Sequence, residues 1–351
     1  MNVMRQLLRR LLPGLLAAVL LVGCGQNAAP AVSSGSTSGS QSASSSVSSS
    51  SSEEEAPAYV DVTPVEEVDL EDETVALSEA PAALSTNLQA VASGTLVKQN
   101  SKAVIDYSNT KDGYVMVKYS ASTDKRLKAQ VKGPTTTYTY NLTAGKWETF
   151  PLSDGNGSYQ IVVYENISGT KYSSVLSLTT TVTLTDEFAP FLRPNQYVDY
   201  SAAPKTVAKA AELVNGITDP LKKVEAVYNF VVKNLTYDRQ KAATVQSGYL
   251  PVLDTVLETK TGICFDYAAL MAGMLRSQGI PCKLVVGYAG TVYHAWISVW
   301  SEETGWVDGV IYFDGTSWQR MDPTFASSGK QSASIMQYIG DGKNYTTKYL
   351  Y

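Results

Sequence analysis

The sequence predicts an α+β protein in which an all-β region precedes a region of helices that is followed by strands. Two observations carry this prediction. Between residues 96 and 186, apolar residues recur with a period of two and turn residues interrupt them about every ten to twelve residues, as in an antiparallel sandwich. From residue 204 onward the apolar period is first helical and then alternating, which is the order of an α+β domain.

The N-terminus has the pattern of an export signal. Three arginines precede an apolar run that begins at Leu11 and is about 13 residues long, shorter than the ~20 residues of a spanning helix. The run ends in the order Leu-Val-Gly-Cys at Cys24, which resembles a bacterial lipobox. This resemblance implies lipidation of Cys24 and anchoring to the bacterial cell membrane by two acyl chains. We therefore predict a lipoprotein signal peptide over residues 1–23 and an extracytoplasmic location; an ordinary export signal with an incidental cysteine is the alternative.

Two segments of low complexity follow the signal. Residues 24–57 are dominated by serine and have few large apolar side chains to bury, so we expect a disordered tether. A flexible coil of about 32 residues spans roughly 30 Å. Residues 58–95 are predicted to extend this tether as an acidic linker segment.

The all-β region is predicted to be an immunoglobulin-like sandwich over residues 96–186. Alternating runs fall at 113–120, 138–142, 158–165 and 171–184. Residues 187–203 contain two prolines and are interpreted as a connector. No catalytic pattern is found in the sandwich, so we expect a spacer or adhesion domain, with binding of a glycan or protein through exposed tyrosines as the alternative.

The third predicted domain, residues 204–351, begins with helices. Asp219 and Pro220 are typical of a helix N-cap and first helical position, and an apolar stripe continues this helix to about Asn234. A second long helix is predicted over residues 264–278. The remaining predicted elements are helices over 207–215 and 254–258 and strands over 283–287, 293–300, 306–313 and 318–322.

Three side chains in this domain are of the types that thiol catalysis needs. Cys264 lies in the first turn of its helix, where the helix dipole and unpaired N–H groups favour the thiolate. His294 is the single histidine of the chain and lies on a strand, and Asp322 ends a strand before a proline. In such a site the imidazole takes the thiol proton and the carboxylate orients the imidazole. Asp308 and Asp314 are the alternatives for the carboxylate.

Five sequence blocks resemble those of the transglutaminase-like superfamily. In chain order they are Gly262-Ile263-Cys264, Leu275 to Pro281, Val286-Gly287-Tyr288, His294-Ala295-Trp296 and Met321 to Thr324. The resemblance covers about a third of the chain. It implies a papain-like α+β fold, a catalytic triad of Cys264, His294 and Asp322, and acyl transfer from an amide through a thioester.

The remaining parts of the site are less well defined. The backbone N–H of Cys264 is the expected first oxyanion donor. The resemblance implies a tryptophan as the second donor in animal members, and since residues 204–263 contain none, Tyr237 is the candidate. Cys282 is predicted to be a core residue. No carboxylate cluster resembles a calcium loop, and neither a metal nor a cofactor is expected.

These features together predict a monomeric thiol enzyme of the cell surface. Its expected partners are a peptide or protein substrate in the cell envelope and, through lipidated Cys24, the membrane. The formal net charge is −5 and no run of lysine and arginine follows the signal, which argues against nucleic acid. Hydrolysis is favoured because the tryptophan donor is missing; a cross-linking transamidase and a non-catalytic envelope-binding module are the alternatives.

Overall fold

The computed structural model describes residues 88–301, 305–308, 311–313, 318–320 and 345–351. The predicted signal peptide, the predicted serine-rich tether, the predicted lipidation site Cys24 and the carboxylates Asp314 and Asp322 lie outside the described residues. At Asp308 only the backbone is described. In the part of the chain that is described, no helix is both long enough and apolar enough to cross a membrane.

Residues 97–182 form two four-stranded antiparallel sheets, termed here the two-sheet region. Its strands are β1 (Val97–Gln99), β2 (Ala103–Asp106), β3 (Tyr114–Tyr119), β4 (Leu127–Lys132), β5 (Thr137–Leu142), β6 (Trp147–Pro151), β7 (Gly157–Ser168) and β8 (Lys171–Val182). One sheet has the order β1-β2-β3-β6 and the other has the order β5-β4-β7-β8.

The predicted alternation is observed on β5, where Tyr138, Tyr140 and Leu142 are buried and Thr137 and Asn141 are exposed. Strand β3 differs from the prediction, since five of its six residues are buried. The core residues of both sheets belong to one hydrophobic cluster. Antiparallel strands are therefore present over residues 97–182, while the immunoglobulin-like assignment and the domain limits 96–186 stay predictions.

The next part of the chain is mainly helical. Its helices are α1 (Pro204–Leu213), α2 (Pro220–Asn234), α3 (Arg239–Thr244), α4 (Leu253–Thr259) and α5 (Cys264–Ser277). The predicted N-cap of α2 is confirmed, because the Asp219 carboxylate accepts the backbone N–H of Leu221 at 2.8 Å. Helix α5 is buried on every side from Asp266 to Ser277 and not only along one stripe, which makes it the central helix of this part.

The remaining described strands form a third sheet and two short pairs. They are β9 (Thr236–Tyr237), β10 (Thr261–Gly262), β11 (Cys282–Ala289), β12 (Val292–Ser301), β13 (Gly305–Asp308), β14 (Ile311–Phe313), β15 (Trp318–Arg320) and β16 (Tyr345–Leu350). The third sheet is antiparallel with the order β13-β12-β11-β16. Strands β9 and β10 pair in parallel, and β14 pairs with β15.

One sequence prediction is wrong at this point. A single strand was expected over residues 306–313, but β13 and β14 belong to different sheets. The sequence has Asp-Gly at residues 308–309, a dipeptide that interrupts strands. Helix α3 and strands β9, β10 and β16 were not predicted, since each is either very short or lacks a clear apolar period.

Two sets of contacts join the sheets around α5. The ring of Tyr351 lies 5.6 Å from that of Tyr138 in the two-sheet region and 4.5 Å from that of Tyr197, between centroids. The buried guanidinium of Arg276 donates to the backbone carbonyls of Cys282 at 2.8 Å, Arg193 at 2.9 Å and Tyr351 at 2.6 Å. The C-terminal end of α5 is therefore fastened to the connector, to β11 and to the last residue of the chain.

Candidate active site

One cavity, of about 150 Å³, borders three of the sequence-predicted site residues. Cys264, His294 and Tyr237 all line it. The two-sheet region also lines it and contributes Lys128 and Asn141 among others. The described part of the chain therefore brings the predicted nucleophile, base and oxyanion donor to one enclosure. The participation of the two-sheet region was not predicted.

Cys264 is the first residue of α5 and is partly exposed. The helix begins here because the Asp266 carboxylate accepts the backbone N–H of Ile263 at 2.8 Å and so caps the first turn. The approach to the helix needs glycine at 262, since a Cβ at Gly262 would lie 2.5 Å from the Cβ of Asp266. The Gly262-Ile263-Cys264 block thus fixes the position of the Cys264 sulfur.

Asp266 is completely buried and holds two further partners. Its carboxylate accepts from the ammonium of Lys241 at 2.7 Å and from the hydroxyl of Tyr249 at 2.5 Å. Burial raises the pKa of the Tyr249 hydroxyl, and the neighbouring Asp266 carboxylate raises it further, so Tyr249 remains a donor. This cluster ties α3 and the loop after it to the start of the cysteine helix. Sequence analysis missed it.

His294 is buried, near the start of β12, with only 4% of its surface exposed. Its ring is stacked with that of Trp296 at 6.2 Å between centroids, and both lie near the ring of Tyr345 on β16. Ala295, between them in sequence, belongs to the core that contains α5 and also borders the cavity. Every residue from His294 to Val299 is buried, so both faces of β12 are covered at these positions.

The strand opposite His294 explains the Val-Gly-Tyr block. Gly287 is the register partner of His294 on β11. A Cβ at Gly287 would lie 2.0 Å from the carbonyl oxygen of Thr346 and 2.9 Å from the indole of Trp296. Only glycine therefore permits the close approach of β16 and of the Trp296 ring that packs beside His294.

Tyr237 lies beside the entry to the cysteine helix. In the parallel β9–β10 pair its register partner is Gly262, and the N–H of Asp238 donates to the Gly262 carbonyl at 2.9 Å. The Asp238 carboxylate then caps α3 by accepting the N–H of Lys241 at 2.8 Å. A two-residue strand pair thus sets Tyr237 next to the segment that carries Cys264.

The second cysteine of this region has a different environment. Cys282 opens β11 and is fully buried, and burial raises the pKa of its thiol to about 12. Both Cys264 and Cys282 are free thiols. The interpretation of Cys282 as a core residue is confirmed.

The structure does not describe the side chain of any candidate for the triad carboxylate. Asp322 and its alternative Asp314 lie outside the described residues, and the other alternative, Asp308, pairs through its backbone with Ser298 on β12. Among the described side chains, no group of three metal-binding residues is present.

The family comparison matches the part of the chain that carries this site. The model of the transglutaminase-like superfamily matches residues 207–323. A protein-glutamine gamma-glutamyltransferase of Pseudomonas aeruginosa is 32% identical to this chain over 119 residues. The match covers 30% of this chain and 17% of that protein. YebA of Bacillus subtilis, an uncharacterized protein, is 29% identical over 117 residues, which is 28% of this chain and 16% of that protein. The chain thus covers about a sixth of the length of each relative.

Among solved structures, the periplasmic domain of TgpA from Pseudomonas aeruginosa aligns with a TM-score of 0.32 and 17% sequence identity. The alignment covers 70% of this chain and 99% of that one. The family match, the order of the sequence blocks and the cavity shared by Cys264 and His294 all concern the same stretch. Residues 207–323 are a domain of the transglutaminase-like superfamily.

Proposed function

We propose that the protein is a thiol enzyme that cleaves amide bonds of peptides or proteins through a thioester acyl-enzyme, with hydrolysis as its reaction. The observation that supports this most is the shared cavity: the partly exposed thiol at the start of α5 and the one histidine of the chain both border it. A nucleophile and a base on separate elements, facing one enclosure, are what acyl transfer requires.

In the proposed reaction, His294 takes the proton of the Cys264 thiol and the sulfur attacks the amide carbonyl. The backbone N–H of Cys264 and the hydroxyl of Tyr237 donate to the oxyanion of the tetrahedral intermediate. When the intermediate collapses, the carbon–nitrogen bond breaks and His294 returns the proton to the leaving amine. Water then attacks the thioester, with His294 as base, and releases the acid and the free thiol.

Asp322 is the proposed orienting carboxylate, on the basis of its match to the Asp-Pro-Thr block. It would hold the tautomer of His294 and stabilise the imidazolium. Substitution of Asp322 by Asn should therefore lower turnover strongly and alter the NMR titration of the single imidazole. Asp308→Asn is the matched control; a larger effect at Asp308 would transfer the assignment to that residue.

Transamidation is the second candidate reaction, and one comparison favours it. A relative that is 32% identical over 119 residues is named a protein-glutamine gamma-glutamyltransferase. Hydrolysis and transamidation share the acyl-enzyme and differ only in whether water or an amine resolves it. Incubation with cell-envelope peptides, with and without an isotopically labelled primary amine, separates them by product mass. Free acids support hydrolysis, and amine conjugates support transamidation.

We further propose that the enzyme works outside the cytoplasm, anchored through a lipidated Cys24. The support is the arginine-led apolar run that ends in a lipobox-like sequence. A mature N-terminus at Cys24 carrying two acyl chains is the expected mass-spectrometric result. Recovery of Cys24→Ser protein in the same membrane fraction, with the leader processed as before, would contradict the anchor.

A further inference from the structure

The two-sheet region presents its polar face to the cavity that Cys264 borders. Strand β4 turns Leu127 and Ala129 inward, whereas Lys128, between them, lines the cavity. Its register partner on β5 is Asn141, which also lines the cavity. The ammonium of Lys128 donates to the side-chain oxygen of Asn141 at 2.5 Å. A cross-strand polar pair thus forms part of the wall of the cavity that Cys264 also borders.

This wall carries a positive charge without a compensating carboxylate. Of the residues that border the cavity in the described part of the chain, Lys128 is the only Lys, Arg, Asp or Glu. No described carboxylate forms an ion pair with Lys128. A nearby acid, Glu148, accepts from the side chain of Gln196 and from the N–H of Thr143. A partly buried ammonium whose partner is a neutral amide can gain from an anion.

The electrostatic surroundings point the same way. Burial of Lys128 lowers the pKa of its ammonium, and the neighbouring charge of Arg126 lowers it further. The ammonium is therefore poorly solvated and lies in a positive field. An anionic ligand would relieve both costs.

The second member of the pair is held firmly. Asn141 is so close to the loop between α3 and α4 that a Cβ at Gly248 would lie 2.5 Å from the side-chain nitrogen of Asn141. The backbone carbonyl of Asn141 also accepts from the side chain of Gln196 at 2.6 Å. The side-chain amide of Asn141 thus lies against the loop, and its backbone is held by the connector.

We propose that Lys128 and Asn141 form a subsite that binds a carboxylate of the substrate while its amide carbonyl is at Cys264. The inference rests on the proposed function, since it concerns the substrate of that same thiol. It assigns the substrate class as a peptide with an acidic group near the scissile amide, either an acidic side chain or a free terminal carboxylate. It also makes the two-sheet region part of the enzyme and not a spacer.

Three thiol-directed reagents of nearly equal size test the subsite on the full chain. N-iodoacetyl-glutamine amide is neutral, N-iodoacetyl-glutamate α-amide has a side-chain carboxylate, and N-iodoacetyl-glutamine has a terminal carboxylate. The second-order alkylation rate at Cys264 is measured by peptide mapping for the wild type, Lys128→Met and Lys132→Met. Lys132 is the matched control because it lies on the same face of β4 but does not border the cavity.

We expect one or both acidic reagents to alkylate wild-type Cys264 about three- to tenfold faster than the neutral one, the range expected for one partly buried charge-assisted contact. Whichever acid gains identifies the source of the carboxylate. The preference should disappear in Lys128→Met, persist in Lys132→Met and shrink at high salt. Equal relative rates in the wild type and in Lys128→Met would overturn the subsite. Absence of reaction at Cys264 with all three reagents would overturn the proposed function and this inference with it.

Discussion

Helix α5 has very different surroundings at its two ends, although its middle is buried on every side. At the first residue, the Cys264 thiol is partly exposed at a cavity, and the helix start is held by buried Asp266, which binds the partly buried Lys241 and Tyr249. Beyond the last turn, the Cys282 thiol is fully buried, and Arg276 is occupied by three backbone carbonyls. The start of the helix therefore exposes a reactive side chain, whereas its end stabilises the fold.

The largest expected effect separates the two thiols in catalysis. Cys264→Ala should lower turnover of envelope peptides at least about 10³-fold, because the covalent step is lost. Cys282→Ala should keep its turnover and lose only about 1 kcal/mol of unfolding free energy through the buried atom removed. Turnover and urea unfolding of both variants measure this. If Cys282→Ala folded fully but lost its activity, the two thiols would not differ in their role in catalysis.

Selective alkylation also distinguishes Cys264 from Cys282. At pH 8 in the folded protein, iodoacetamide should label Cys264 at least about 100-fold faster than Cys282, since the pKa of Cys282 is raised to about 12 and its sulfur is covered. Peptide mapping of the labelled chain gives both rates. Denaturant should abolish the difference, whereas comparable labelling of the two thiols in native protein would count against the structure.

Sequence patterns were sufficient to predict elements whose stabilising contacts join residues that are close in sequence. The apolar period predicted α2 and α5 within a few residues, and the block around Cys264 predicted the start of the helix. The Lys241–Asp266 pair and the wall at Lys128 could not be predicted, because the partners are far apart in sequence and meet only through packing. The same holds for β9 and β10, which are two residues each and show no periodicity.

The polar anchors of α5 should differ in what they affect. Asp266→Asn leaves Lys241 opposite a neutral group, and Arg276→Met removes three hydrogen bonds to backbone carbonyls, so each should cost about 2–4 kcal/mol of unfolding free energy. Only Asp266→Asn should also slow alkylation of Cys264 in the folded fraction, since it loosens the helix start. Unfolding curves and alkylation rates measured together decide this. If Cys264 were alkylated equally fast in both variants, the two ends of α5 would not differ in their effect on the thiol.

A smaller effect is expected at Tyr237. Tyr237→Phe should lower turnover about tenfold, at the low end for an oxyanion donor, because the thioester-forming step loses one hydrogen bond. Alkylation of Cys264 should be unchanged, since displacement of iodide forms no oxyanion. Tyr288→Phe, an exposed tyrosine on β11, is the control. Equal effects on turnover and alkylation would assign Tyr237 a structural role.

The pairing of Cys264 and His294 at the cavity they share is the basis of the proposed catalysis. Its most direct measurement is the alkylation rate of Cys264 at pH 6 in the wild type and in His294→Gln, with urea unfolding to show that both are folded. We predict that labelling falls at least about tenfold in the variant, because His294 takes the proton of the Cys264 thiol in the proposed reaction. Equal rates in the two proteins would show that the imidazole does not act on the sulfur and would contradict the account.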